Sequence, residues 1–406
     1  MRSTISALVL ATGLGLPATP ALATNTSLEK AISDSKILAD LRLRWEHASQ
    51  DGLPNDANAL TYRIRAGFVT GELYDTTFLI DFEHLNDLAG DFNNTINGKV
   101  SYPVVADPDA TELNRLQLTN KSLPDTTIIV GRQRIKIDND RFVGNVGWRQ
   151  NEQTFDAVRV TNSSFGPVTL DVSYVDQVNR IFGDDSPMGR FHSDSWLIHA
   201  NADLPVEFVK ANLSVFAYLL DFDNSAANSS QTYGFLLSLK KDAFGLKGSW
   251  AHQSDFTNQP VDYSVNYANV EGSYAWNGAT FSAGYEMLGG NGTKGFATPL
   301  ATLHAFNGFA DVFLGTPAAG LDDVYLKAAY KWKPDGWLDL IKVAAAYHFF
   351  SAEETGADYG DEFDAVLVLK KGRFGVLTKY AHYETDGFAT DRDRVWLQFT
   401  VNLNAK

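Results

Sequence analysis

The residues with the most chemical potential in this chain are arginines that recur at every second position. They stand at Arg42 and Arg44, Arg63 and Arg65, and Arg132 and Arg134, with Arg115 between the pairs. Of sixteen arginines, twelve fall between Arg42 and Arg190, and none from Phe191 to Gly372. A guanidinium stays charged at any physiological pH and grips a carboxylate through two parallel N–H bonds. Alternate spacing on a strand points each pair to one face. On one wall of a water-filled lumen, such groups attract an anionic solute. Local pairing is the alternative: Asp81 and Glu83 lie between the arginine-bearing segments, and Asp40 and Glu46 beside them. Further along stand Glu271, Glu286, Asp323, Glu362 and Asp364, an opposing acidic wall. An anion-selective lumen and a mixed-field lumen are both open on this pattern.

Other reactive types are weaker. His192, Ser193, Asp194 and Ser195 hold the residue types of a hydrolase triad, but adjacency in sequence does not supply the spatial relay. The eight histidines show no i, i+4 zinc spacing. Asp51, Asn55 and Asp56 make loop Ca²⁺ conceivable, though the alternating ligands and closing Glu of an EF-hand are missing. No other cofactor or metal is expected. There is no cysteine, hence no disulfide scaffold, thiolate site or cysteine nucleophile. The net charge of −15 argues against nucleic acid as a partner.

These side chains must be positioned by strands. Residues 1–23 read as a signal peptide: Arg2, an apolar run from Ile5 to Leu16, and Ala21-Leu22-Ala23 before cleavage at Thr24. No other stretch is apolar over the ~18 residues that a membrane helix needs. Residues 24–406 instead alternate. Ile37, Ala39, Leu41, Leu43 and Trp45 oppose Lys36, Asp40, Arg42, Arg44 and Glu46. Leu60, Tyr62, Ile64, Ala66 and Phe68 oppose Thr61, Arg63 and Arg65. Val395, Leu397, Phe399, Val401 and Leu403 oppose Arg394, Gln398, Thr400 and Asn402. About eighteen such segments can be counted, an even number as single-chain bacterial barrels require.

Connectors alternate too. Tight turns follow every even strand, as at Gly71-Glu72, Leu123-Pro124-Asp125, Phe165-Gly166-Pro167, Asn277-Gly278, Pro334-Asp335-Gly336 and Lys371-Gly372, while the segments 86–110, 177–193 and 288–322 are long. Aromatic residues such as Trp45, Tyr74, Trp276, Trp332, Trp337, Tyr347 and Phe349 cluster near strand ends, where interface belts place them. The expected fold is all-β: a transmembrane antiparallel β-barrel of the bacterial outer membrane, with short periplasmic turns and long extracellular loops. Its expected partners are outer-membrane lipid and lipopolysaccharide and the barrel-assembly machinery. The segment 289–322 carries Phe296, Leu300, Leu303, Phe306, Phe309, Phe313 and Leu314, too apolar for disorder. It is expected to fold inward or cap the mouth as a gate presenting Thr298, His304, Asn307 and Asp311, with a packed extracellular lid that does not gate as the alternative.

Two stretches, GRQRIKIDNDRFVGNVGWRQNEQTFDAVRV from Gly131 and FATPLATLHAFNGFADVFLGTPAAGLDDVYLKA from Phe296, resemble the alginate-export family of outer-membrane barrels. The resemblance implies an eighteen-stranded, monomeric barrel with an arginine-rich constriction that passes an anionic oligo- or polysaccharide, and it points to Arg132, Arg134, Arg141 and Arg149. Arg42, Arg44, Arg63 and Arg65 join them by inward parity alone. The reading is a channel for anionic, uronate-like saccharides. A non-selective porin or a non-transporting barrel (hydrolase or adhesin) stands as the alternative.

Overall fold

The computed structural model describes residues 27–334 and 336–404. The signal-peptide expectation for residues 1–23 and the Asp335 turn position lie outside them. After a six-residue helix, Leu28–Ser33, the described chain forms eighteen strands. They are β1 (Lys36–Gln50), β2 (Ala57–Val69), β3 (Thr76–Asp91), β4 (Ala110–Asn120), β5 (Thr126–Gln133), β6 (Thr154–Phe165), β7 (Val168–Asn179), β8 (Arg190–Leu204) and β9 (Lys210–Leu220). Then follow β10 (Ser230–Lys241), β11 (Phe244–Ser254), β12 (Ser264–Trp276), β13 (Ala279–Leu288), β14 (Leu321–Trp332), β15 (Leu340–Ser351), β16 (Asp358–Lys371), β17 (Phe374–Glu384) and β18 (Arg392–Asn402).

Each strand pairs antiparallel with its sequence neighbours, and β1 pairs with β18 from Asp40↔Asn402 to Gln50↔Arg392. The sheet is therefore a closed cylinder with no free edge. Closure matters in lipid, where an unpaired N–H or C=O costs several kcal/mol.

Parity decides which solvent each side chain meets. On β14, Val324 and Leu326 are exposed on the outer face, while Asp323 and Tyr325 are buried inside. On β2, Ile64 and Phe68 face out, and Arg63 and Arg65 are buried within. Leucine, phenylalanine and tryptophan exposed in this way all around a cylinder form a face that only lipid can cover. The tight turns join β2 to β3 and every second pair thereafter. Asn277 and Gly278, both at positive φ, make the two-residue turn between β12 and β13. Tyr74, Trp276, Trp332 and Trp337 lie exposed at the short-turn end, and Trp45, Tyr347 and Phe349 toward the other.

Several boundaries differ from the sequence reading. β1 runs on to Gln50 and β3 to Asp91, which shortens the following connector to residues 92–109. The connectors expected over 177–193 and 288–322 span 180–189 and 289–320. β5 stops at Gln133, so Arg134 lies in a loop and not on a strand as its alternation with Arg132 suggested. The β4–β5 pairing reaches only from Asn120↔Ile128 to Leu116↔Arg132, and beyond it the chain turns into the lumen.

Leu326→Arg, on the outer face near mid-strand, is expected to destabilise the barrel by ~2–4 kcal/mol. Ser282→Arg, facing the lumen on the neighbouring strand, is expected to be tolerated. Urea unfolding of the protein refolded into vesicles measures both.

Candidate functional site

Two long loops enter the barrel and meet there. The β5–β6 loop, residues 134–153, buries Ile135, Ile137 and Val143. The β13–β14 loop, residues 289–320, buries Phe296, Leu300, Ala301 and Ala310. A parallel bridge joins Val143 to Leu300. The Gly144 amide donates to the Leu300 carbonyl at 2.9 Å, the Thr302 amide to the Asp140 carbonyl at 3.0 Å, and the Gln153 side chain to the Leu300 carbonyl at 3.0 Å. The loops thus form one inserted body. Their apolar residues supply part of the main buried cluster, and Phe142 packs there against Phe216, Tyr267 and Phe296. The second loop was expected to fold inward or cap the mouth, and it folds inward.

Charged side chains fasten this body to the wall on several sides. From β1, Arg42 donates to the carbonyls of Gly147, Trp148 and Arg149 at 2.9–3.1 Å. Arg44 donates to the Trp148 carbonyl, holds Gln398 at 2.7 Å and places its guanidinium 4.1 Å from the Trp148 ring. Asp107 of the β3–β4 loop stands 3.6 Å from Arg44 and accepts from the Gln150 amide at 2.9 Å. Glu46 receives Arg394 of β18 at 3.0 Å and Arg149 of the loop at 3.5 Å, and Arg149 reaches on to Asp311 at 2.8 Å. Across the barrel, Arg141 donates to Glu286 at 2.8 Å, and Asn307 donates to Glu286 at 2.7 Å and Asp323 at 3.1 Å. On β16, Glu362 accepts from the Ala310 amide at 2.6 Å and Asp364 from the Phe309 amide at 3.1 Å. Gly308, at φ +84°, a conformation that disfavours residues with a side chain, lies directly against the Glu362 carboxylate.

At the centre, His304 stacks on Trp148 with ring centroids 4.5 Å apart and planes 3° from parallel. Its Nδ1 faces Asp311 at 2.8 Å, and its Nε2 faces the Lys379 ammonium at 2.6 Å. Nδ1 therefore carries the proton and Nε2 accepts. Burial pushes this imidazole down to about 3, with Lys379 and Arg149 opposing a second positive charge and only Asp311 favouring one.

The arginines singled out from the sequence divide into two groups. Arg44, Arg63, Arg65, Arg141 and Arg149 are buried and act as fasteners. Arg63 pairs with Asp40, Arg65 with Glu83 and with Glu152 of the loop. Arg115, Arg132 and Arg134 keep contact with water: Arg134 is 30% exposed beside Glu152, Arg132 18% beside Asp156, and Arg115 pairs with Asp81. Arg159 pairs with Asp171 on the same wall. Arg42 alone of the nine has no carboxylate within 4.0 Å among the described residues. The acidic residues are likewise engaged: Glu286 and Asp323 hold the loop, with His348 2.9 Å from Asp323, and Glu271 accepts from Tyr325 at 3.2 Å. Thr298 lines a cavity in the β13–β14 loop. Trp148, Gln150, Gln153 and Lys379 had no sequence signal beyond their types, since each acts through a partner far away in the chain.

Elsewhere, Ser193 and Ser195 are buried while His192 and Asp194 are exposed on the opposite face, so this quartet does not assemble a relay. Ser195 instead receives the Asp221 amide at 2.9 Å. Among the described residues, no group of three or more His, Cys, Asp and Glu side chains is placed to hold a metal ion, the 51–56 loop included.

No family model matches the chain, and no curated protein does. Solved structures do. OccAB4 of Acinetobacter baumannii aligns over 93% of this chain and all of its own, with a TM-score of 0.70 at 12% identity. OccK9 (OpdG) of Pseudomonas aeruginosa covers 92% of this chain and all of its own, with a TM-score of 0.68 at 15% identity. OpdQ of the same organism covers 93% and 100%, with a TM-score of 0.65 at 15% identity. At such identities the likeness is one of fold. With the lipid-facing belt, it makes this chain a bacterial outer-membrane barrel.

The tautomer of His304 sets a pH dependence. Its proton affinity is depressed in the docked loop relative to about 6.5 when free, so the undocked loop binds the extra proton. Docking is fully favoured above about pH 6.5 and weakens as pH falls toward 3. Ala310→Cys, a lone thiol on the buried side of the loop itself, is expected to be labelled faster at pH 5 than at pH 7.5, relative to an exposed Asp51→Cys reference. In a His304→Gln background the ratio is expected to stay flat.

Proposed function

We propose that the chain is a constricted outer-membrane channel for small hydrophilic solutes, selective for anions, uronate-bearing saccharides among them. The observation that carries this reading is the inserted pair of loops, which occupies part of the lumen and leaves arginines on the wall beside it in contact with water. Beside the inserted body, Arg134, Arg132, Arg115 and Arg159 line one wall with partial access to water, and Lys136 of the β5–β6 loop is 53% exposed next to them. Beneath the β13–β14 loop a further cavity of about 320 Å³ is lined by Lys327, Lys342, His348 and Asp364 among others. A plain open pore has no use for so many buried charges spent on holding a loop. Deleting one partner of a buried pair costs about 3–5 kcal/mol because it strands the other charge, so these pairs specify where the loops dock.

The resemblance to alginate-export barrels supports a uronate as the anion. Arginine suits it, because its fork matches a carboxylate in two-point contact. A mixed-field lumen with weak selectivity is the second reading, favoured by the pairing of Arg115, Arg132, Arg134 and Arg159 with carboxylates. In that case the paired charges orient water across the passage and choose no solute.

Planar-bilayer recording separates the two. The refolded protein is expected to show stepwise ion current with a reversal potential on the anion-selective side in a salt gradient. Replacing Arg132 and Arg134 by Ser is expected to move the reversal potential toward cations, since Asp156 then stands uncompensated and Glu152 keeps only Arg65. An unchanged potential supports the mixed-field reading, and the absence of any current refutes the channel. Trp148→Ala, which removes the ring between Arg44 and His304, is expected to raise conductance and current noise by loosening the constriction.

A further inference from the structure

A cavity of about 360 Å³ lies among the long loops, walled by residues 293–299 and 313–316 of the β13–β14 loop, by Arg180 of the β7–β8 loop, by Phe191 at the start of β8, and by Asn228. Its composition runs against the rest of the chain. The protein has 49 Asp and Glu against 34 Lys and Arg, and it pairs nearly every inward arginine with a carboxylate. No carboxylate lines this cavity, yet Arg141, Arg180 and Lys294 do. Arg141 is committed to Glu286 and Asn307.

The other two cations are held without being neutralised. Among the described residues, neither Arg180 nor Lys294 has a carboxylate within 4.0 Å. The Arg180 guanidinium lies over the rings of Phe191 at 4.2 Å and Phe182 at 4.8 Å, and donates once, to the Met188 carbonyl at 3.0 Å. A guanidinium has five N–H donors, so most of its capacity is free. The Lys294 ammonium donates to the Ala227 carbonyl and sits 4.7 Å from the Tyr263 ring centre. Burial pulls Arg180 down to about 10 and lowers Lys294 as well, with no neighbouring carboxylate to offset it. A half-buried cation left uncompensated costs free energy unless an anion arrives.

The remainder of the lining carries no charge. Phe191, Phe296, Phe313, Leu288, Leu303 and Leu314 supply it, with Thr293, Thr298 and Asn228 as neutral hydrogen-bonding groups. The cavity's volume falls in the roughly 300–1,000 Å³ range of small-molecule sites, and its lining joins apolar side chains to a few placed polar groups. At the low end of that range the space holds one ring or a short branched chain.

We infer that this cavity is a binding site for a small amphipathic anion, an aromatic or compact aliphatic body bearing one carboxylate or sulfonate. Arg180 and Lys294 take the charge, and Leu303 and Leu314 take the body. A polyuronate exceeds the size of this cavity, so this site is distinct from the arginine wall of the constriction. It stands independently of conduction: absence of ion current would refute the channel and leave this site untouched.

Fluorine NMR of the detergent-solubilised full barrel tests it, with 4-(trifluoromethyl)benzoate as probe and 4-(trifluoromethyl)benzamide as its neutral counterpart. The benzoate is expected to show saturable broadening, and the benzamide to bind at least tenfold more weakly. Arg180→Gln and Lys294→Gln are each expected to weaken benzoate binding at least fivefold. Arg190→Gln, which breaks an exposed pair with Asp184, is expected to leave it unchanged. Leu314→Trp, which fills the cavity and spares both cations, is expected to abolish saturation. Retention of the heat-modifiable electrophoretic band shows that each variant is folded. Equal response to benzoate and benzamide, or unchanged affinity in Arg180→Gln or Leu314→Trp, overturns the proposal.

Discussion

The structure depends on closing a ladder of backbone hydrogen bonds between β1 and β18. In the hydrocarbon of a membrane no water satisfies an open strand edge, so eighteen strands are stable there only as a cylinder. Closure then divides every strand between two surroundings. Positions such as Leu43, Ile64 and Leu326 meet lipid, and the residues between them meet the lumen. The apolar surface that a soluble protein would hide in a core is on the outside here. The inside is left to polar and charged groups, and what they do there is the functional question.

A cylinder of this width would be an open pore if its inward side chains were its only filling. Two loops change that, and charge is what holds them. The wall offers guanidinium groups to loop carbonyls at Arg42 and Arg44, and carboxylates to loop amides at Glu362 and Asp364. Loop arginines reach back to wall carboxylates at Glu46 and Glu286. The network crosses the barrel, so the inserted body is braced from opposite sides. Such groups are costly to desolvate, and each is worth keeping only when its partner is in place. The inserted body therefore has one well-defined position, and the side chains of the wall beside it form a defined set of charges.

Much of the barrel was legible in the sequence because each strand meets two solvents. Period-two alternation, the Asn277-Gly278 type of turn and the regular exchange of short and long connectors follow directly from that division. The inward folding of 289–320 was legible as one of two outcomes, because a loop carrying Phe296, Leu300 and Phe313 must bury them somewhere. The plugging role of 134–153 was not. Its arginines continue the strand alternation by one step at Arg134, after which the chain leaves the wall. The roles of the arginines were half legible. Charge and inward parity could be read for Arg42, Arg44, Arg63 and Arg65, and the neighbours Asp81 and Glu83 were visible as partners. That Arg149 would meet Glu46 and Asp311, or Arg141 Glu286, depends on three-dimensional crossings between segments more than a hundred residues apart. No local pattern records them.

The central claim is that charge-fastened loops, and not the strand cylinder, set the width of the passage. Polymer exclusion in single-channel recordings tests it most directly, using polyethylene glycols of graded size on the full protein and on a form with residues 297–315 replaced by a short Gly-Ser linker. The account predicts that the shortened form admits markedly larger polymers and conducts several-fold more current. An identical size cut-off in the two proteins would contradict it.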